Sequence, residues 1–192
     1  LVFPPRPCRG EGAPGRGPFN ASRHPVNRYG GLGGNLGRAP AAPDGALARP
    51  GELPGVHVAA VSPCYVTEPQ DRADQPWFHN QAAALALGPF WTPESLLAAL
   101  QEVEAAMGRP LEGVRERFGP RPIDLDLLLF ENQRRNTPEL TLPHPRMRRR
   151  AFVLVPLRDI APALVFPDGE GIGAALAKIP FKIEGNSIFQ GP

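Results

Sequence analysis

From Ile123 to Phe130 the chain alternates: Ile123, Leu125, Leu127 and Leu129 are separated by Asp124, Asp126 and Leu128. A period of two predicts a β-strand. Successive strand side chains point to opposite faces, so Asp124 and Asp126 share one face, about 6.5 Å apart. Aspartate is disfavoured in strands, and like charges on one face repel. A cation must compensate them: Arg117, Arg121 or a bound divalent metal. Mg²⁺ is held by one or two carboxylates together with substrate phosphates, which fits this spacing. Two such ions about 4 Å apart would serve an in-line displacement at phosphorus. The competing reading is a solvated edge strand whose aspartates pair with nearby arginines. The dense apolar flank predicts burial of one face.

The rest of the chain limits what this strand can belong to. At 192 residues it is one domain by length. It holds 26 prolines and 21 glycines, many of them before residue 56, and these exclude a continuous helix over 38–52, where Pro40, Pro43, Gly45, Pro50 and Gly51 fall. Residues 1–25, rich in Pro, Gly and Arg, read as a disordered leader. Gly30-Gly31-Leu32-Gly33-Gly34-Asn35-Leu36-Gly37 reads as a turn after a weak first strand; it has neither the Lys-Ser/Thr of a P-loop nor the dinucleotide fingerprint. Strands are predicted over 56–62 and 77–87, with a loop through 64–69 between them. Thr92-Pro93-Glu94-Ser95 is a helix start, with a hydroxyl cap, a proline and an early acid, and Gly108 stops the helix. Leu96, Leu97, Leu100, Val103 and Met107 form its apolar stripe.

An arginine-bearing loop fills 109–122, the kind of element that closes over a triphosphate. Residues 131–138 read as a polar connection, 172–177 as a short helix and 181–192 as an irregular tail. The formal net charge of +2 gives no argument for bulk nucleic-acid binding. Cys8 and Cys64 make no disulfide framework, and Cys64 reads as a small buried hydrophobe. No stretch approaches the roughly 20 apolar residues that span a bilayer. A cytoplasmic setting is expected, with organelle import as a variant.

The run Arg117-Phe118-Gly119-Pro120-Arg121-Pro122-Ile123-Asp124-Leu125-Asp126-Leu127-Leu128-Leu129-Phe130 resembles the signature of the 6-hydroxymethyl-7,8-dihydropterin pyrophosphokinases of folate biosynthesis. The likeness continues through Leu142-Pro143-His144-Pro145-Arg146-Met147, Ala151 to Leu157, and Phe166-Pro167-Asp168-Gly169. It implies a ferredoxin-like βαββαβ α+β sandwich over 26–180, with the first strand and first helix degraded, one sheet face carrying helices and the other open to ligands. It also implies transfer of pyrophosphate from ATP to the pterin hydroxymethyl group, with release of AMP.

By the same resemblance, Asp124 and Asp126 would hold two Mg²⁺, and Arg117, Arg121 and His144 would act on the phosphates, His144 as donor or acid. Gln101, Glu104, Thr141 and Arg150 join those three around ATP. Thr67, Phe78, Asn80, Phe118 and Phe152 would hold the pterin, the aromatics by stacking and Asn80 by hydrogen bonding. The substrates are small molecules; neither nucleic acid nor membrane is implied. Two other classes stand beside this one. One is a catalytically impaired relative, on account of the damaged N-terminal third; the other is a ferredoxin-like RNA-binding module using Arg146 and Arg148–Arg150. No RNP-type aromatic motif supports the second.

Overall fold

The structure is a computed structural model, and it describes residues 28–34, 52–69, 76–108 and 123–190. The expected leader, the expected helix gap at 38–52 except for residue 52, and the arginine-bearing loop, with Arg117, Phe118 and Arg121, lie outside those residues.

The centre of the molecule is β4 (Phe78–Leu87). From Ala82 to Leu87 every residue is buried, so both faces of this strand are covered, as its unbroken apolar run requires. On one side it pairs antiparallel with β1 (Arg28–Gly34), and β1 pairs with β5 (Asp124–Phe130). On the other side lie β2 (Val56–Val61) and the three-residue β3 (Tyr65–Thr67), which the sequence reading left in a loop. A small separate ladder joins β6 (Arg135–Asn136) to β7 (Thr141–Leu142).

Among the described residues, three α-helices cover the sheet. The first, α1 (Pro93–Ala106), starts as predicted: Thr92 and Ser95 form a reciprocal capping box, and Gly108 follows the end at φ +87°. Its Leu96, Leu100 and Val103 pack with Val56, Ala83, Leu85, Leu125 and Leu127 on one face. On the other face α2 (Ala151–Ile160) and α3 (Ile172–Leu176) bring Leu154, Val155, Leu157, Ile172 and Leu176 against Ala82, Ala84 and Leu128. Fully burying one such leucine is worth about 1.5–3 kcal/mol, so each face carries a core of its own.

Four expectations are corrected. The second face is not simply open, because α2 covers part of it. The arginines before it and Pro156 within it mask its apolar stripe at Ala151, Leu154 and Val155. The glycine run is a strand as far as Gly34, where a turn was expected. Glycine weakens an isolated strand, but β1 is laddered along both edges, and that tertiary pairing outweighs propensity.

The third correction concerns the tail. Residues 182–189 form a hairpin, β8 (Lys182–Glu184) and β9 (Ser187–Phe189), around Gly185-Asn186, with Gly185 at φ +55°. Strand β9 runs parallel to β3 and buries Ile188 to 1% exposure, while Phe189 meets Trp77 edge-on at 5.6 Å. The fourth is Cys64, which is half-buried and disulfide-bonded.

Candidate active site

The register of the sheet sets out the site. Gly33 on β1 pairs with Asp124 on one side and Asn80 on the other, and Gly31 pairs with Asp126 and Ala82. Cross-strand partners share a face, and Ala82 packs on the α2 side, so Asp124, Asp126 and Asn80 all stand on that face. The strands are about 4.8 Å apart, so roughly 10 Å of sheet separates the aspartates from Asn80. The strand between them carries glycine at both of the paired positions, Gly31 and Gly33. At Gly31 an added Cβ would meet the Leu128 side chain at 3.4 Å. The pairing of β1 with β5 slips between Tyr29 and Gly30, and Leu128 and Leu129 both join the α2-side core. This bulge ends the alternation that keeps the two aspartates on one face.

The far wall comes from β3 and β4. Asn80 Nδ2 donates to Thr67 Oγ1 at 2.7 Å, with both residues buried. The bond fixes the amide plane and leaves Oδ1 at its other end, an acceptor suited to a ring N–H. Phe78, directly paired with Thr67, stands half-buried on the same face.

His144 stands over the carboxylates. Its backbone N–H donates to Leu128 O at 2.9 Å, tying the segment to β5. Its Nδ1 accepts from the Arg146 N–H at 3.3 Å, so in the neutral ring the proton is on Nε2, 4.0 Å from Asp126 Oδ1. Burial, reinforced by Arg150 and Arg146 and opposed by Asp124, lowers its pKa to about 4. At neutral pH the approach to Asp126 is therefore not an ion pair. The neutral ring offers Nε2–H as a donor toward this face. Arg150 caps α2 with its guanidinium 5.3 Å from the Phe152 ring, and Phe152 packs on the α2-side core.

Other expected residues fall elsewhere. Arg148 makes two bonds to Asp168 (2.5 and 2.9 Å), a third to Glu170 (3.1 Å), and stacks over Phe166 at 4.1 Å. It staples the segment before α2 to the Phe166–Glu170 loop. Glu104, expected at ATP, is 5% exposed on the α1 side, where its Oε1 accepts the Leu125 N–H at 2.6 Å. Gln101 is exposed on α1 and Thr141 half-buried on β7. The structure thus brings together Thr67, Phe78, Asn80, Asp124, Asp126, His144, Arg150 and Phe152. It adds Gly31 and Gly33, which the sequence reading passed over; their i, i+2 spacing was the signal.

Among the described residues no cluster of three or more His, Cys, Asp or Glu is poised for a metal. Two strand carboxylates suit an ion that takes its remaining ligands from phosphate and water, and Mg²⁺ is such an ion. No helix among the described residues is long and apolar enough to cross a membrane.

Two carboxylates and, about 10 Å along the same face, an oriented amide suit two small molecules, one presenting phosphates to the carboxylates and one presenting a flat polar edge to the amide. Such a site places the protein among the transferases that move phosphoryl groups between small molecules. A family model described as 7,8-dihydro-6-hydroxymethylpterin-pyrophosphokinase matches residues 29–162, and the chain belongs to that family. A 2-amino-4-hydroxy-6-hydroxymethyldihydropteridine pyrophosphokinase of Pseudomonas aeruginosa is 44% identical over 155 residues, 80% of this chain and 92% of the relative. Its counterpart in Methylorubrum extorquens is 46% identical over 152 residues, 79% and 92% of the two chains. A solved structure described as HPPK-DHPS in complex with substrates shares the fold, with a TM-score of 0.59 at 13% identity, over 85% of this chain and 48% of that one. The protein is an ATP-dependent pyrophosphokinase of folate synthesis, acting on 6-hydroxymethyl-7,8-dihydropterin.

Proposed function

We propose that the transfer takes place over the glycine strip, with Asp124 and Asp126 holding two Mg²⁺ and the pterin lying against Asn80. The observation that carries this is the shared face and register of Asp124, Gly33 and Asn80. Held there, Mg²⁺ would supply positive charge that offsets the charge developing on the phosphates during transfer. The two aspartates fix its position. His144 Nε2–H donates to a phosphate oxygen, and Arg150 adds a guanidinium near the departing AMP. Arg117 and Arg121 are assigned to the same phosphates, and Gln101 and Thr141 to the nucleotide.

The hydroxymethyl oxygen bonds to the β-phosphorus and gives up its proton to water, as the bond from that phosphorus to the α-phosphate bridging oxygen breaks and AMP leaves with that oxygen. Asn80 Oδ1 and the Thr67 backbone hold the polar edge of the pterin, while Phe78, Phe118 and Phe152 supply stacking faces. Catalysis is positioning and electrostatics without a covalent intermediate.

The strand order β5-β1-β4-β3 with α1 between β4 and β5 supports a ferredoxin-like layout, running from about residue 26 and extended past 180 by the β8–β9 hairpin. The proposed location is the cytoplasm, with import as the alternative, because a folate synthesis bifunctional protein of Pisum sativum, 43% identical over 108 residues, is named as mitochondrial.

The test is AMP formation from ATP, Mg²⁺ and 6-hydroxymethyl-7,8-dihydropterin by the intact chain and by Asp124→Ala. Disturbing a group behind a metal ligand costs about 10- to 100-fold, so loss of the ligand itself should cost at least about 100-fold. Pterin-dependent AMP release that survives the substitution would remove Asp124 from the metal site. A cooperatively folded chain that releases none would show an impaired relative.

A further inference from the structure

We infer that Glu104 is a positioning residue for the pyrophosphoryl transfer: its buried carboxylate holds the Leu125 N–H and so sets the backbone from which Asp124 and Asp126 project. The inference rests on the reading of those aspartates as metal ligands. Within the described sheet β5 is an end strand, paired with β1 alone. An end strand presents one row of backbone N–H and C=O groups with no strand partner. Leu125 lies between the two aspartates, and its N–H meets Glu104 Oε1 at 2.6 Å, the short range of charge-assisted hydrogen bonds.

Packing alone does not account for a glutamate here. Glu104 is 5% exposed and follows Val103 on the buried side of α1, where Leu96 and Leu100 also lie. A buried carboxylate is costly unless it is hydrogen-bonded, and an apolar residue would serve the core without that cost. The helix presenting it is locked to β5 by the shared packing of Leu100, Val103, Leu125 and Leu127. The carboxylate is therefore held on a rigid element and fixes the peptide that joins Asp124 to Leu125. Ligands that must hold ions against a triphosphate tolerate only about 0.5 Å of error. If the bond is lost, the Leu125 N–H turns to water and the aspartate pair loosens. The pterin wall, two and three strands away on β4 and β3, stays in place.

The experiment compares the full-length chain with Glu104→Gln, which keeps an oxygen acceptor, and Glu104→Ala, which does not. Three quantities are read: AMP formation against Mg²⁺ concentration, pterin binding by fluorescence, and exchange of the Leu125 amide proton by NMR. Expected for Glu104→Ala are a half-saturating Mg²⁺ concentration raised about tenfold or more, a lowered kcat, and faster Leu125 exchange. Its pterin affinity should stay within about twofold, because that site is distant. Glu104→Gln should recover most of the Mg²⁺ dependence and the amide protection.

Equal losses in both variants, appearing as a raised KM for ATP with Leu125 exchange unchanged, would overturn the inference and make Glu104 a direct nucleotide contact. If Glu104→Ala does not fold cooperatively, Glu104→Gln decides alone: protected Leu125 with near-normal Mg²⁺ dependence supports the role, and lost protection with normal Mg²⁺ dependence overturns it. The outcomes also separate the two proposals. An Asp124→Ala chain with unchanged Mg²⁺ dependence sinks the metal assignment itself. An inactive Asp124→Ala beside a wild-type-like Glu104→Ala sinks only the role of Glu104.

Discussion

Replacing His79 by leucine should make the protein more stable, and more so in acid. His79 is 3% exposed on β4, and neither ring nitrogen has a hydrogen-bond partner among the described residues. It alternates with Asn80, so its side chain lies on the α1 face with Ala83 and Leu85, away from the site. An unpaired buried polar group costs about 1–3 kcal/mol, and leucine, close in volume, removes that cost without opening a cavity. The gain corresponds to about 2–4 °C in Tm per kcal/mol for a chain of this size.

Burial also lowers the pKa of His79 below its ordinary 6.5. In acid the unfolded chain then binds a proton that the folded chain refuses, so stability falls as pH drops through the unfolded value. If the folded ring stays neutral, wild type loses about 1.4 kcal/mol between pH 7.5 and 5.5 at this residue, and the variant loses none of it. His144, with its pKa lowered to about 4, adds a similar pH dependence over this window through its unfolded form, but it contributes alike to both proteins and cancels in the difference. Urea denaturation at the two pH values gives both quantities. A leucine variant that is less stable at pH 7.5, or that keeps the wild-type pH slope, would show that His79 has a partner and that the reasoning is wrong.

Two further substitutions probe the sheet and the far wall. Gly30→Ala should stabilise by about 0.5–1 kcal/mol, because the new Cβ would meet only Asp126 O, at 3.6 Å, and Gly30 is not in the left-handed region; a lower urea midpoint would count against that. Asn80→Leu removes the acceptor that Thr67 orients and should raise KM for the pterin about 10- to 100-fold. Unchanged KM for the pterin would move the ring elsewhere.

Where one kind of information sufficed, the sequence was readable. Helix α1 could be delimited from Thr92, Pro93, Ser95 and Gly108 because capping chemistry is local. The aspartate pair could be placed on one face because strand period is local too. Helix α2 was not readable, since its N-terminus follows three arginines and it contains Pro156. Only the core supplied by Leu128 and Ala82 shows why Leu154 and Val155 turn inward. The hairpin at 182–189 depends on β3 for its outer pairing, a partner more than 110 residues earlier in the chain. The same limit applied to His144: its tautomer and lowered pKa come from Arg146, Arg150 and burial, which the motif does not state.

The misreading of β1 has a different cause, and it links fold to function. A strand of Arg-Tyr-Gly-Gly-Leu-Gly-Gly looks like damage because glycine is poor at both packing and strand formation. Yet Gly33 pairs with Asp124 on one side and Asn80 on the other, on the strip where the two substrates are proposed to meet. The centre of the sheet must supply hydrogen bonds there without supplying bulk. Strand β1 can meet that requirement because β4 and β5 flank it on both sides, so its order comes from neighbours rather than from its own side chains. Gly30 and Gly31 complete the contrast: Gly31 lies under Leu128, where a Cβ would be tight at 3.4 Å, whereas Gly30 has ordinary room at 3.6 Å. The glycine at 31 is thus held by packing against Leu128, Gly33 pairs within the proposed strip, and Gly30 meets neither demand, which is why Gly30 should accept alanine with a gain in stability.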